Sequence, residues 1–130
     1  MAEHDSDTQH GFGRALVAVY AVFAVAATAR SVYQLVTKAD EAPVAYALSA
    51  VAGVVYGIAT WALATGNRRV ATAAIGFELV GVLGVGLLSI VDSELFPDQT
   101  VWSGFGAGYG FIPLVLPFVG LWWLRRTRGR

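Results

Sequence analysis

The sequence has no cysteine and only two histidines, and both shortages narrow the chemistry that the chain can perform. Without cysteine, disulfides, thiolate metal sites and iron–sulfur clusters are excluded. His4 and His10 lie near the N-terminus, outside every long apolar segment. Imidazole therefore cannot hold haem, copper or zinc within those segments. We expect no cofactor and no metal site.

Charge is also scarce, since only 14% of the residues are charged while 56% are hydrophobic, outside the usual range of soluble domains. All charged residues except Arg30 and Glu78 fall between or outside four long apolar stretches, at residues 15–37, 43–65, 70–91 and 105–124. Each stretch has the length of about 20 residues that a helix needs to cross a hydrocarbon core about 30 Å thick. The sequence therefore predicts an all-α polytopic membrane protein, a four-transmembrane-helix bundle with short connectors.

The distribution of basic residues predicts the orientation of this bundle, because Lys and Arg near span ends stay on the cytoplasmic side. Lys38 is the only basic residue in the connectors of the other side, which are otherwise acidic. The arginines of the basic side are Arg14, Arg68, Arg69, Arg125, Arg126, Arg128 and Arg130. We expect a multi-pass protein of the cell (plasma) membrane with both termini in the cytoplasm.

The three predicted parts of the chain follow from this topology. Residues 1–13 are polar and lack the features of a cleaved secretory signal, so we expect a flexible cytoplasmic N-terminal tail. Residues 14–125 form the four-helix transmembrane domain. Residues 126–130 form a basic cytoplasmic tail, which is too short to indicate nucleic-acid binding but is able to attract anionic lipid.

Glu78 is the sharpest functional candidate, because a charged residue in the middle of an apolar helix costs about 2.5 to 3.5 kcal/mol on insertion scales. By helix rise it shares its depth with Tyr20, Tyr56 and Thr60, which we expect as hydroxyl partners. Two interpretations are open. Glu78 is either a protonatable or cation-binding group in a transport path, or a neutral carboxyl that hydrogen-bonds across the bundle and stabilises its register.

A second polar cluster is predicted in the outer half of the membrane. Arg30 lies too far along the first helix to pair with Glu78, and its long side chain can extend outward. We expect Asp92, Glu94 or Glu41 as its counter-charge, with Gln34 one turn further along. This cluster is either a structural clamp on the outer connectors or a binding site for an anionic lipid head group.

Small residues recur in the second and third spans at spacings typical of membrane helix contacts. They are Ser49, Gly53 and Gly57 in the second span, and Gly76, Gly81, Gly84 and Gly86 in the third. We expect them to serve mainly tight packing within the chain, although a dimer face is the alternative.

The segment from Asp92 to Pro117 is the most distinctive part of the chain. Pro97 and Asp98 favour a turn, and the glycine-rich residues after Trp102 form an unusual helix start. Pro113 and Pro117 are expected to bend the last helix and to leave two carbonyls without helical donors. This bend is interpreted as a matter of shape rather than of cation binding.

Four segments together resemble a family of small, uncharacterised four-helix integral membrane proteins of actinobacteria. The segments are ATARS at residues 27–31, EAPVAYALSA at 41–50, ELVGVLGVG at 78–86 and FPDQTVWSGFGAGYGFIPLVLP at 96–117. The resemblance covers nearly the whole chain. It implies the same four-span fold and implies no activity, cofactor or site residue.

Three functions of different classes are compatible with these features. The first is a structural or accessory subunit that packs against a larger membrane complex, indicated by the small size and the packing glycines. The second is a small homo-oligomeric transporter or channel that uses Glu78. A lipid-modifying enzyme is the weakest, because the acidic residues near Ser103 have no histidine to activate a nucleophile. The expected partners are the lipid bilayer and other membrane protein subunits or a second copy of the chain.

Overall fold

The computed structural model describes residues 2–38, 40–92, 94, 100 and 102–127, and for residues 2–10 and 38 it describes the backbone alone. The described chain is all-α, as predicted. Its helices are α1 (Ala2–Lys38), α2 (Pro43–Thr65), α3 (Arg68–Val91), a 3-10 helix (Ser103–Tyr109) and α4 (Ile112–Arg126). Pro97, Asp98, Arg128 and Arg130, on which predictions were made above, lie outside the described residues.

Helix α1 is longer than the predicted first span, because it begins at Ala2 rather than near residue 15. The backbone of residues 2–13 is thus helical, and the flexible cytoplasmic tail expected at residues 1–13 stays a prediction. Its apolar part, Gly11–Thr37, is 27 residues long and has the composition of a membrane-crossing helix.

The ends of α2 and the start of α3 follow from single residues. Pro43 stands in the first turn of α2, where a missing N–H costs nothing. A turn of two residues, Gly66 and Asn67, joins α2 to α3. Gly66 ends α2 in the left-handed conformation, with φ of 73°, which glycine adopts without strain. The side chain of Asn67 then accepts a hydrogen bond from the Val70 amide (3.2 Å) and starts α3.

The fourth predicted span is not one helix. The 3-10 helix and α4 meet at an angle of 98°, and the pair is either a broken span or a re-entrant loop. Helix α4 alone has 15 residues, about 22 Å by helix rise, which is less than the hydrocarbon thickness of about 30 Å. In the described part of the chain three helices, α1, α2 and α3, are each long and apolar enough to cross a membrane. A bundle of four spans is therefore not confirmed.

The break lies at different residues from those expected. Gly110 and Phe111 both have positive φ, at 64° and 60°, and they turn the chain between the two helices. Pro113 stands in the first turn of α4, where proline is well accommodated, and Pro117 is the proline inside the helix. Proline thus marks the start of α4 rather than bending it at residue 113.

The backbone at the start of the 3-10 helix is irregular, and its amides donate hydrogen bonds to hydroxyl side chains. Thr100 Oγ1 accepts from the amides of Trp102 and Ser103, both at 3.1 Å. The amide of Gly104 donates to Ser89 Oγ on α3 at 2.8 Å. Because lipid offers no hydrogen bonds, irregular backbone at membrane depth persists only where the protein itself supplies partners.

The part of α1 around Phe12 lies beside the end of α4. Phe12 packs edge-on against Trp122 of α4, with ring centroids 5.9 Å apart. At the end of α4, Arg68, the first residue of α3, donates to the hydroxyl of Thr127 at 3.0 Å. Phe12 of α1, the α2–α3 turn and the end of α4 therefore lie at the same end of the molecule, and the 3-10 helix covers the opposite part of α3.

Candidate intramembrane polar site

Glu78 lies at the centre of the packed helices and is completely buried. Its Oε1 accepts a hydrogen bond of 2.6 Å from the hydroxyl of Tyr20 on α1. Its Oε2 has no hydrogen-bond partner among the described residues. This contact joins α1 to α3 through residues 58 positions apart in the sequence, so the expected hydroxyl partner Tyr20 does lie against the carboxyl group.

Tyr56 of α2 lies beside Tyr20, with ring centroids 6.0 Å apart. Its hydroxyl accepts a hydrogen bond of 3.0 Å from the indole Nε1 of Trp102. The rings of Phe23 and Trp102 flank it at 5.5 Å and 6.3 Å. Tyr56 is thus the centre of an aromatic cluster that adjoins the Glu78 site and connects it to the 3-10 helix region.

Thr60 does not take part in the site. Its hydroxyl donates to the carbonyl of Tyr56, four residues earlier on the same helix, at 2.7 Å. This local bond is the usual choice of a threonine in an apolar helix, because the carbonyl of the preceding turn is always within reach. The expected bond from Thr60 to Glu78 is absent from the described contacts.

The site lies near the middle of the helices that could cross the membrane. Glu78 is ten residues from the start of α3, and Tyr56 is nine residues from the end of α2, which corresponds to about 14 to 15 Å by helix rise. Glycine at position 120 lets α4 approach this level, because an added Cβ would come within 3.3 Å of the Tyr20 hydroxyl. Helices α1, α2, α3 and α4 therefore all meet around one carboxyl group.

The outer cluster differs from the predicted one. Arg30 donates to the hydroxyl of Tyr109 on the 3-10 helix at 3.2 Å, where a bond to Asp92, Glu94 or Glu41 was expected. Those three carboxylates are exposed. Gln34 is buried, and its Oε1 has no partner in the described part of the chain. Because water already solvates these exposed carboxylates well, an ion pair with Arg30 would add little stability.

The packing glycines divide into two groups. An added Cβ at Gly53 would overlap Thr28 of α1, and at Gly81 it would overlap the ring of Trp102. These two glycines serve contacts within the chain, as does Gly86 against Phe105. By contrast, Gly57, Gly76 and Gly84 have nothing within 4 Å of an added Cβ. Ser49 is buried, but its hydroxyl has no partner among the described residues.

Three residues that contact the predicted polar residues were not anticipated: Trp102 beside Tyr56, Tyr109 beside Arg30, and Phe23 between the rings of Tyr56 and Tyr109. Each is aromatic, and Trp102 and Tyr109 come from the segment after α3, where nothing in the spacing indicates which helix they contact. One signal was available for Trp102. A buried tryptophan needs a partner for its N–H, and the tyrosine hydroxyls of the apolar helices are acceptors of the required kind.

Chemically, the site offers one carboxyl group, two phenols and one indole. Among the described residues there is no group of three or more histidine, aspartate or glutamate side chains placed to hold a metal ion. Comparison with protein-family models, curated proteins and solved structures found no match to this chain. The resemblance to the small actinobacterial membrane proteins stays a prediction.

Proposed function

We propose that the protein is a multi-pass component of the cell membrane, with four crossings and both termini in the cytoplasm, that acts as a structural or accessory subunit of a larger membrane complex. The bent pair is then a broken fourth crossing. Support for this topology comes from the shared position of Phe12, Arg68 and Trp122 at the arginine-rich end. The positive-inside rule assigns that end to the cytoplasm.

The observation that carries the accessory role is the division of the glycines. Gly57, Gly76 and Gly84 have open space where their side chains would be, so packing among the described residues does not account for them. In membranes, small residues allow the backbones of two helices to approach closely, and such surfaces are typical of helix association. The open glycines on α3 would be the contact surface for a partner helix.

The test is to purify the tagged chain from its native membrane in a mild detergent and to identify the retained proteins by mass spectrometry. We expect one or more larger membrane proteins in reproducible amounts. A Gly76→Leu/Gly84→Leu variant should lose them, because two leucines would hold the partner backbone away. Ala29→Leu, a change at an exposed position of α1, is the control and should retain them. Retention by the double leucine variant would contradict the role of this surface.

A second candidate, a small homo-oligomeric transporter, is favoured by the unpartnered Oε2 of Glu78. A completely buried carboxyl oxygen without a hydrogen bond is costly, and intramembrane carboxyl groups often serve as proton or cation sites. If the chain purifies only with copies of itself, proton-coupled flux into proteoliposomes should be measured for Glu78→Gln. Loss of flux in a folded variant would support transport, and unchanged flux would exclude this use of Glu78.

A further inference from the structure

A cavity of about 710 Å³ opens where the start of α3 meets the end of α4. Its lining has a basic side and an apolar side. The basic side consists of Arg68, Arg69 and Arg125, the apolar side consists of Ala73, Leu121 and Leu124, and Thr72 completes the lining. The two sides together make an amphipathic cavity rather than a purely charged patch.

The three arginines differ in what they contact. Arg68 is engaged within the protein, since its guanidinium donates to the hydroxyl of Thr127 at 3.0 Å and also to the carbonyl of Leu124. It holds α3 against the end of α4. Arg69 and Arg125 are exposed, and no carboxylate of the described chain forms an ion pair with either one. Two positive charges thus face the cavity without a counter-charge from the described residues.

In the topology proposed above, the cavity lies at the cytoplasmic end of the helices, where a bilayer changes from hydrocarbon to head groups. It is at the arginine-rich end of the helices, beside Trp122, whose ring lies 5.6 Å from the guanidinium carbon of Arg126. Tryptophan and arginine side chains are typical of this interfacial zone. Leu121 and Ala73 lie one turn further from the helix ends than Arg125 and Arg69, so these two apolar residues lie deeper than the two arginines.

We propose that this cavity binds the head group of an anionic phospholipid, with Arg69 and Arg125 on the phosphate and Leu121 and Ala73 against the first methylene groups of an acyl chain. Basic pockets between membrane helices are suited to such head groups. A free phosphate ion would use the arginines but not the apolar side, and for this reason the lining favours a lipid. The proposal rests on the membrane topology proposed above but not on the accessory role.

The experiment is a titration of the full-length chain in a neutral detergent with phosphatidylglycerol or phosphatidylcholine, followed by native mass spectrometry. We expect one saturable phosphatidylglycerol adduct and weaker binding of phosphatidylcholine. Arg69→Gln/Arg125→Gln should weaken the phosphatidylglycerol adduct about 30-fold, since each basic residue contributes about 1 kcal/mol close to anionic lipid. The single variant Arg125→Gln is the milder change and replaces the double variant if that one folds poorly. It should weaken the phosphatidylglycerol adduct about fivefold.

The matched control is Arg14→Gln/Arg126→Gln, which removes the same charge from the same end of the helices but leaves the cavity lining intact. It should bind phosphatidylglycerol like the parent chain. Equal losses in the two double variants would mean unspecific attraction and would overturn the proposal. Equal binding of both lipids by the parent chain would also overturn it. Inorganic phosphate is the third arm, and if it displaces the lipid adduct at millimolar concentration, the site takes free phosphate and the lipid assignment is wrong.

Discussion

At the scale of single residues, the hydrogen bond from Tyr20 to Glu78 is the contact on which the centre of the molecule depends. Both side chains are completely buried, and the bond links two helices that are distant in sequence. In membrane proteins such interhelical bonds contribute about 0.6 kcal/mol on average and up to about 1.7 kcal/mol. The short distance and the full burial favour a value near the upper end.

We predict that Tyr20→Phe destabilises the protein by about 1 to 2 kcal/mol, because it removes the donor to a buried carboxyl group. The measurement is the free energy of unfolding in detergent, in a double-mutant cycle with Glu78→Gln. Tyr33→Phe is the control, since Tyr33 lies on the same helix but is 62% exposed and should cost almost nothing. Equal losses for the two tyrosines would show that the hydroxyl of Tyr20 has no special role.

At the scale of elements, the 3-10 helix depends on α3 for two different reasons. Its backbone amide at Gly104 needs the hydroxyl of Ser89, and its aromatic residues need space beside the glycines of α3. Gly81 and Gly86 provide that space for Trp102 and Phe105. The position of the 3-10 helix therefore depends both on the hydroxyl of Ser89 and on the absence of side chains at Gly81 and Gly86.

Removing the hydroxyl by Ser89→Ala should destabilise the protein by about 1 to 3 kcal/mol, because the Gly104 amide loses its acceptor away from water. Hydrogen exchange at Gly104 should also become faster than in the parent chain. Ser31→Ala is the matched change, since Ser31 is buried and its hydroxyl only returns to the Thr28 carbonyl at 3.0 Å. Slow exchange at Gly104 in the Ser89 variant would contradict the proposed link.

The two groups of glycines on α3 should respond differently to one added methyl group. Gly81→Ala should cost about 1 to 3 kcal/mol, because the buried Trp102 ring cannot move away freely. Gly84→Ala should instead be neutral or stabilising by up to about 1 kcal/mol, since alanine has the higher helix propensity and the space is open. Unfolding of both variants in the same detergent gives the comparison, and equal effects would contradict the assignment of the two surfaces.

At the scale of the whole molecule, the question is on which side of the membrane each helix end lies. The absence of cysteine makes every introduced cysteine unique. In intact cells we expect a membrane-impermeant maleimide to label Asp92→Cys but neither Thr65→Cys nor Arg126→Cys. After permeabilisation all three should react. Labelling of Arg126→Cys together with Asp92→Cys from outside would mean that the bent pair returns to the outer surface without crossing.

Much of the architecture could be predicted because it depends on local pattern. The bounds of α2 follow from one apolar run between Pro43 and Gly66, and those of α3 differ by two residues from the predicted span. The last segment was predicted less well. Its apolar composition indicated one continuous span, but Gly110 and Phe111 adopt left-handed conformations, and a hydrophobicity pattern carries no information about backbone dihedral angles.

The sequence by itself determined that the chain is helical and that Glu78 is the single carboxyl group within its apolar stretches, and three of its four predicted spans are helices long and apolar enough to cross a membrane. These properties depend on residues close together in the chain, so their spacing is sufficient to predict them. Only the tertiary structure decided that Tyr20 rather than Thr60 bonds to Glu78, that Arg30 contacts Tyr109, and that Trp102 packs on Gly81. Each of these pairs joins different elements, and the choice among partners at similar depth depends on how the helices rotate and pack against one another.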